Sequence, residues 1–145
     1  MKIFLDTNVL LAATLSSNGA SAQILKLCEA DFIQGYISSE LFEEALEVIA
    51  RKFPGKEQKF KRVVGSTLHV EKIPSRSPLW KKAASWIQDP DDIMVLVGAK
   101  YLDVDWLITL DLRDFIRDSR VAQKSGLKIS TPGDFLEEYR RTSNT

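Results

Sequence analysis

Apolar positions in this chain follow two alternating rhythms. Short unbroken apolar runs such as Ile3-Phe4-Leu5 and Trp106-Leu107-Ile108 are separated by longer stretches where apolar residues recur every three to four positions. The first rhythm predicts buried strands and the second amphipathic helices. Strands are predicted at 2–5, around Tyr36-Ile37, at 70–73, at 106–109 and at 128–130. Helices are predicted from 7 to about 16, over 21–30, 40–52 and 56–67, and in a short piece carrying Trp80 and Trp86. Further helices are predicted over 91–102, from about 112, and at the end around Phe135, Leu136 and Tyr139. Pro54-Gly55 breaks one helix from the next, and Pro74 and Pro78 bound a loop. Asp89-Pro90-Asp91-Asp92 is a helix start, with Asp89 as cap, Pro90 at the first helical position and acids in the first turn. Strand and helix alternate throughout, which predicts a three-layer α/β/α fold around a five-stranded, mostly parallel sheet.

Length and composition narrow the class. A chain of 145 residues that is 44% apolar fits one domain with a sizeable core, spanning 1–145, with a frayed polar tail from about 141. No stretch approaches the roughly 20 apolar residues of a membrane span. The apolar run behind Met1-Lys2 is too short for a signal-peptide core. Cys28 and His69 are each the sole residue of their type, which excludes an internal disulfide, a cysteine metal cluster and a His–His zinc pair. A cytoplasmic protein is the expectation. His69, at a strand edge, reads as structural.

Twenty basic and twenty acidic residues cancel, so global charge does not point to nucleic acid. Charge is uneven, however. Arg51 to Arg62 (RKFPGKEQKFKR) holds six basic residues and one acid, Glu57. That run reads either as a solvated helix face or as a rim for phosphates, through Lys56, Lys59, Lys61 and Arg62. Arg113 and Arg117 offer an alternative path.

The acids have a pattern of their own. Asp6 ends the first strand and Asp111 follows the fourth. Crossover helices of right-handed βαβ units begin near the same carboxyl edge. Asp92 in its helix's first turn, and Glu44 with neighbouring Glu43 one turn into theirs, therefore join that edge. Each acid alone also reads as a cap or a solvated surface residue. Together they would repel one another unless a cation lay among them. An all-oxygen set suits Mg²⁺ or Mn²⁺ rather than zinc, and such ions at a sheet edge suggest phosphoryl transfer.

Five segments, in this order and spacing, resemble the PIN domain family of metal-dependent ribonucleases over essentially the whole chain. They are LDTNVL, SSELFEEALEVI, the DPDD helix start, WLITLD and ISTPGDFL. The resemblance implies a sheet order of 3-2-1-4-5. It implies that Asp6, Glu44, Asp92 and Asp111 bind metal and catalyse, with Glu43 the near alternative to Glu44. Asn8 and Thr109 match supporting polar positions, and Asp114 lies where some relatives have a further acid. The implied activity is hydrolysis of RNA by water activated on Mg²⁺ or Mn²⁺. Implied partners are RNA, an antitoxin if the chain is a toxin of the VapC type, and a second copy in a homodimer. A non-catalytic RNA-binding PIN scaffold is the rival, though its expected loss of acids is not seen. An aspartyl phosphatase wants an acid two residues after the first, where Asn8 stands. A receiver domain wants paired acids near the first strand and a late lysine, which are missing.

Overall fold

Strand β1 (Lys2–Leu5) lies at the centre of the sheet, which accounts for its unbroken apolar run. Ile3, Phe4 and Leu5 are all fully buried, as expected of a strand covered on both faces. The computed structural model describes residues 1–143. Beside β1 lie β2 (Gln34–Ser38) and β4 (Trp106–Ile108), with β3 (Leu68–Glu71) and β5 (Lys128–Ser130) at the edges. The order is β3-β2-β1-β4-β5 and every pairing is parallel, so "mostly parallel" understated the regularity. Leu5 pairs with Ile108. The next residues, Asp6 and Thr109, therefore leave the sheet side by side.

Helices flank the sheet. They are α1 (Thr7–Leu15), α2 (Ala20–Glu29), α3 (Ser39–Lys52), α4 (Glu57–Thr67), α5 (Leu79–Ala84), α6 (Pro90–Tyr101), α7 (Ser119–Ser125) and α8 (Pro132–Ser143). Caps fix where those nearest the site begin. Ser38 accepts the Leu41 N–H at 3.2 Å to open α3, and Asp89 accepts the Asp91 N–H at 2.8 Å to open α6. Helix α6 lies close against β1 at Gly98, where a Cβ would come within 2.7 Å of the Phe4 ring. That close approach holds the acidic start of α6 near the end of β1. No helix among the described residues is long and apolar enough to cross a membrane.

Four expectations need correction. The third strand is 68–71, not 70–73: Leu68 pairs with Gly35 and packs into the space its missing side chain leaves, while Ile73 reaches the core from the following loop. Helix α5 stops at Ala84, so Trp86 sits beyond it. The helix expected from 112 is two pieces, a π-helical turn (Leu112–Ile116) capped by Asp111 and α7 capped by Asp118. Helix α8 continues past Tyr139 to Ser143, with Arg141 contacting both Glu138 oxygens at 2.7 Å. Of the tail expected to fray, residues 144 and 145 lie outside the described residues.

Candidate metal centre

Asp6 caps a helix with one carboxylate oxygen and faces the neighbouring strand with the other. Its Oδ1 accepts the Thr7 N–H at 2.7 Å at the start of α1. Its Oδ2 faces the neighbouring strand and accepts the Thr109 hydroxyl at 2.8 Å. Thr109 is fully buried, and its oxygen also accepts the Asp111 N–H at 3.0 Å. One hydroxyl thus orders both strand-end acids, as donor to the first and acceptor from the second. The Asn8 carbonyl accepts the Leu110 N–H at 3.1 Å, and its amide lies 3.4 Å from Asp6 Oδ2 and 3.5 Å from Thr109 Oγ1. These contacts tie α1 to the loop after β4.

Asp111 then turns the chain. Its Oδ1 accepts the Asp114 N–H at 3.0 Å, which folds Asp114 back toward the same side. Asp92 arrives from the first turn of α6. Asp92, Asp111 and Asp114 each place one carboxylate oxygen within 4.8 Å of the others. Asp92 is nearly buried, and its Oδ2 has no hydrogen-bond partner. A bare, buried carboxylate oxygen beside two further carboxylates fits a hard divalent cation.

The electrostatics agree. Burial pushes the Asp92 carboxyl up to about 7, helped by the charges of Asp89, Asp111, Asp114 and Asp6. Burial also raises Asp6, with the Asp111 charge adding to it and the hydrogen bonds from Thr109 and Thr7 opposing it. Glu44 is raised by burial and then by Asp91, Asp6 and Glu47.

The residues singled out from sequence are therefore not one equivalent set. Asp92 and Asp111 meet at ligand distance, and their third member is Asp114. Asp6 connects to them through Thr109. Glu44 is half-buried and feels the charge of Asp6, whereas Glu43 is exposed. A groove of about 730 Å³ opens beside Asp92 and Asp114, lined by Trp86 and Ile87, by the cations Arg113, Arg120 and Lys124, and by the acids Asp89 and Asp118. The Arg51–Arg62 run does not line it. Lys59 instead faces a separate hollow of about 180 Å³ with Ala13, Leu25 and Val63, between α1, α2 and α4. Reading the sequence overlooked Trp86, Arg120 and Lys124. The available signal was Asp118-Ser119-Arg120, a second helix start after β4.

Residues 2–113 match the family model of the PIN domain. The uncharacterized protein MJ1680 of Methanocaldococcus jannaschii is 25% identical over 152 residues, covering 97% of this chain and 93% of its own. Among solved structures, VapBC2 from Rickettsia felis, bound to a DNA fragment from their promoter, matches 90% of this chain and 98% of that one. Its TM-score is 0.70 at 16% identity. VapC20 of Mycobacterium tuberculosis, a sarcin–ricin loop cleaving toxin, matches 77% and 91%, with a TM-score of 0.54 at 14% identity. The two structures are alike in fold. The family match runs from β1 through Asp111 and takes in every strand-end acid described above, and on that match the chain belongs to the PIN domain family of nucleases.

Proposed function

We propose that this protein is an endoribonuclease dependent on Mg²⁺ or Mn²⁺ that hydrolyses RNA phosphodiester bonds as the toxin of a toxin–antitoxin pair in the cytoplasm. The observation behind this reading is the Asp92–Asp111–Asp114 group, with its bare buried oxygen, beside a groove that Arg113, Arg120 and Lys124 help to line. Asp92, Asp111 and Asp114 would hold the ion, with Asp6 and Glu44 close enough to add to the field. When bound, the ion supplies an activated water and neutralises the leaving oxygen. Thr109 and Asn8 keep Asp6 and Asp111 oriented, so that little reorganisation accompanies ion binding. Lys124, which makes no ion pair among the described residues, would give phosphates a local attraction that the neutral chain as a whole does not.

The toxin reading is supported by the neighbours in structure, one of which cleaves the sarcin–ricin loop and another of which is a VapBC complex. An antitoxin and a second copy are the partners it implies. The test is cleavage of a labelled RNA by purified protein in Mn²⁺, with and without EDTA, beside Asp92→Asn. Metal-dependent cleavage by the wild type and none by the variant is expected. A wild type that binds RNA in Mn²⁺ without cutting it would return the protein to the scaffold reading.

A further inference from the structure

The groove has a wall that metal binding leaves unexplained. Trp86 lies in the loop between α5 and α6, six positions before Asp92, and lines the groove that Asp92 also lines. Its backbone N–H is held by the Ala83 carbonyl at 2.9 Å, and its half-buried indole packs against the core. The other two tryptophans have partners. Trp80 gives its indole N–H to the Pro74 carbonyl at 3.0 Å. Trp106 meets the edge of Phe135 and lies beneath the Lys128 ammonium. Among the described residues, nothing accepts the Trp86 indole N–H and no ring stacks on it. Trp86 is thus an anchored aromatic surface facing an open groove.

The cations on that groove are unequal too. Arg120 is held by both oxygens of Asp118, at 3.0 and 2.9 Å, and Arg113 lies 3.3 Å from Asp114. Lys124, one turn further along α7, is exposed and makes no ion pair among the described residues. The groove's volume, about 730 Å³, lies within the range of small-ligand sites.

We infer that Trp86 and Lys124 form a nucleotide subsite beside the acidic centre, in which an unpaired base stacks on the indole and a neighbouring phosphate meets the ammonium. The inference rests on the nuclease reading and adds which residues of this chain would receive an unpaired nucleotide. A paired base keeps its faces within the duplex stack, whereas a splayed base offers one to an aromatic side chain. Stacking tolerates any base, so the subsite selects strand state rather than sequence.

The experiment measures the affinity of a fluorescein-labelled RNA, single-stranded and as its duplex, in Ca²⁺, with intactness checked on a gel. Trp86→Leu is expected to weaken single-strand binding about five- to hundredfold, with Trp86→Phe recovering most of it and duplex binding unmoved. Lys124→Ala is expected to lower the salt slope by about 0.7 while keeping the preference for single strands. Unchanged single-strand affinity in Trp86→Leu, or equal losses on strand and duplex, would overturn the subsite. The Phe variant keeps the aromatic body, so its failure to recover binding would count against stacking as well. Cleavage in Mn²⁺ is scored separately. Cleaving protein with Trp86-independent binding sinks the subsite alone, whereas Trp86-dependent binding without cleavage sinks the nuclease reading alone.

Discussion

The two edges of the sheet handle charge in opposite ways. At the amino edge, where β1 and β4 begin, each charged side chain meets a backbone or ring partner rather than a like charge. Asp105 accepts the Lys2 backbone N–H at 2.8 Å, and Lys2 gives its ammonium to the Leu102 carbonyl and lies over the Tyr36 ring. At the carboxyl edge, where the same strands end, Asp6, Asp92, Asp111 and Asp114 gather with Arg113 as their one ion-pair partner among the described residues, and that arginine is exposed. One edge is arranged for stability. The other concentrates like charge, which costs stability unless a cation joins it. The difference marks the carboxyl edge as the candidate site without reference to any relative.

The largest way to break this comparison is to remove an acid from the carboxyl edge. Asp6→Asn is expected to lower RNA cleavage by about 10³-fold or more, the several kcal/mol of charge stabilisation a correctly held metal supplies. The fold should remain intact or become more stable, because one repelling charge is gone. Well-folded Asp6→Asn that cleaves like the wild type would end the assignment of Asp6.

Acidity gives the next largest effect. Asp92 has a folded pKa of about 7 against an ordinary 3.8, so between those values the folded state holds a proton the unfolded state has lost. Its stabilising contribution is full below about pH 4 and is lost as pH rises through about 7. Metal-free protein should therefore be less stable at pH 8 than at pH 5, by an unfolding free energy on the order of 2–4 kcal/mol, and should melt at a lower temperature there. Saturating Mn²⁺ should reduce that slope, and Asp92→Asn should remove most of it. Mn²⁺ affinity should rise with pH through the same window, since the proton must leave before the ion binds. A flat melting profile in EDTA would show that the carboxyl edge is not strained by its charge.

Thr109→Val sharpens the comparison, because it keeps both acids and removes what orders them. The Asp111 N–H and Asp6 Oδ2 would each lose a buried partner, a cost of about 1–3 kcal/mol. Metal affinity should fall roughly 10- to 100-fold, as when other groups that orient ligands are removed. Losing the Thr109 hydrogen bond should raise Asp6 further. Titration calorimetry with Mn²⁺ measures the affinity, and an unchanged value would reduce Thr109 to a packing residue.

What was legible in the sequence was local. A central strand buried on both faces reads as an apolar run, and its last residue is then an edge residue, so Asp6, Thr109 and Asp111 could be placed. Asp89-Pro90 is cap chemistry, which put Asp92 in a first turn. The rest depended on contacts distant in sequence. The alternation Val70 to Ile73 looks like a strand, yet pairing was decided by Leu68 filling the space at Gly35. The place of Asp114 follows from Asp111 capping a π-helical turn, and that of Lys124 from a second cap at Asp118. An apolar periodicity running from 112 onward conceals both breaks. The basic run at 51–62 was conspicuous in composition, but the walls of the acidic groove came from 85–89 and 113–124.

The smallest effect belongs to the amino edge and serves as the control. Asp105→Asn removes a charge at the opposite end of β4 while leaving a side-chain oxygen able to accept the Lys2 N–H. Asp105 is exposed, so the loss should be no more than about 0.5–1 kcal/mol, most of it screened by salt. Cleavage and Mn²⁺ affinity should stay at wild-type values, since no group of the carboxyl edge touches it. Melting in low and high salt measures the first expectation, and a Mn²⁺ titration the second. If Asp105→Asn weakened Mn²⁺ binding as strongly as Thr109→Val, the two edges would be electrostatically coupled through the sheet. The division between a stabilising edge and a functional edge would then fail.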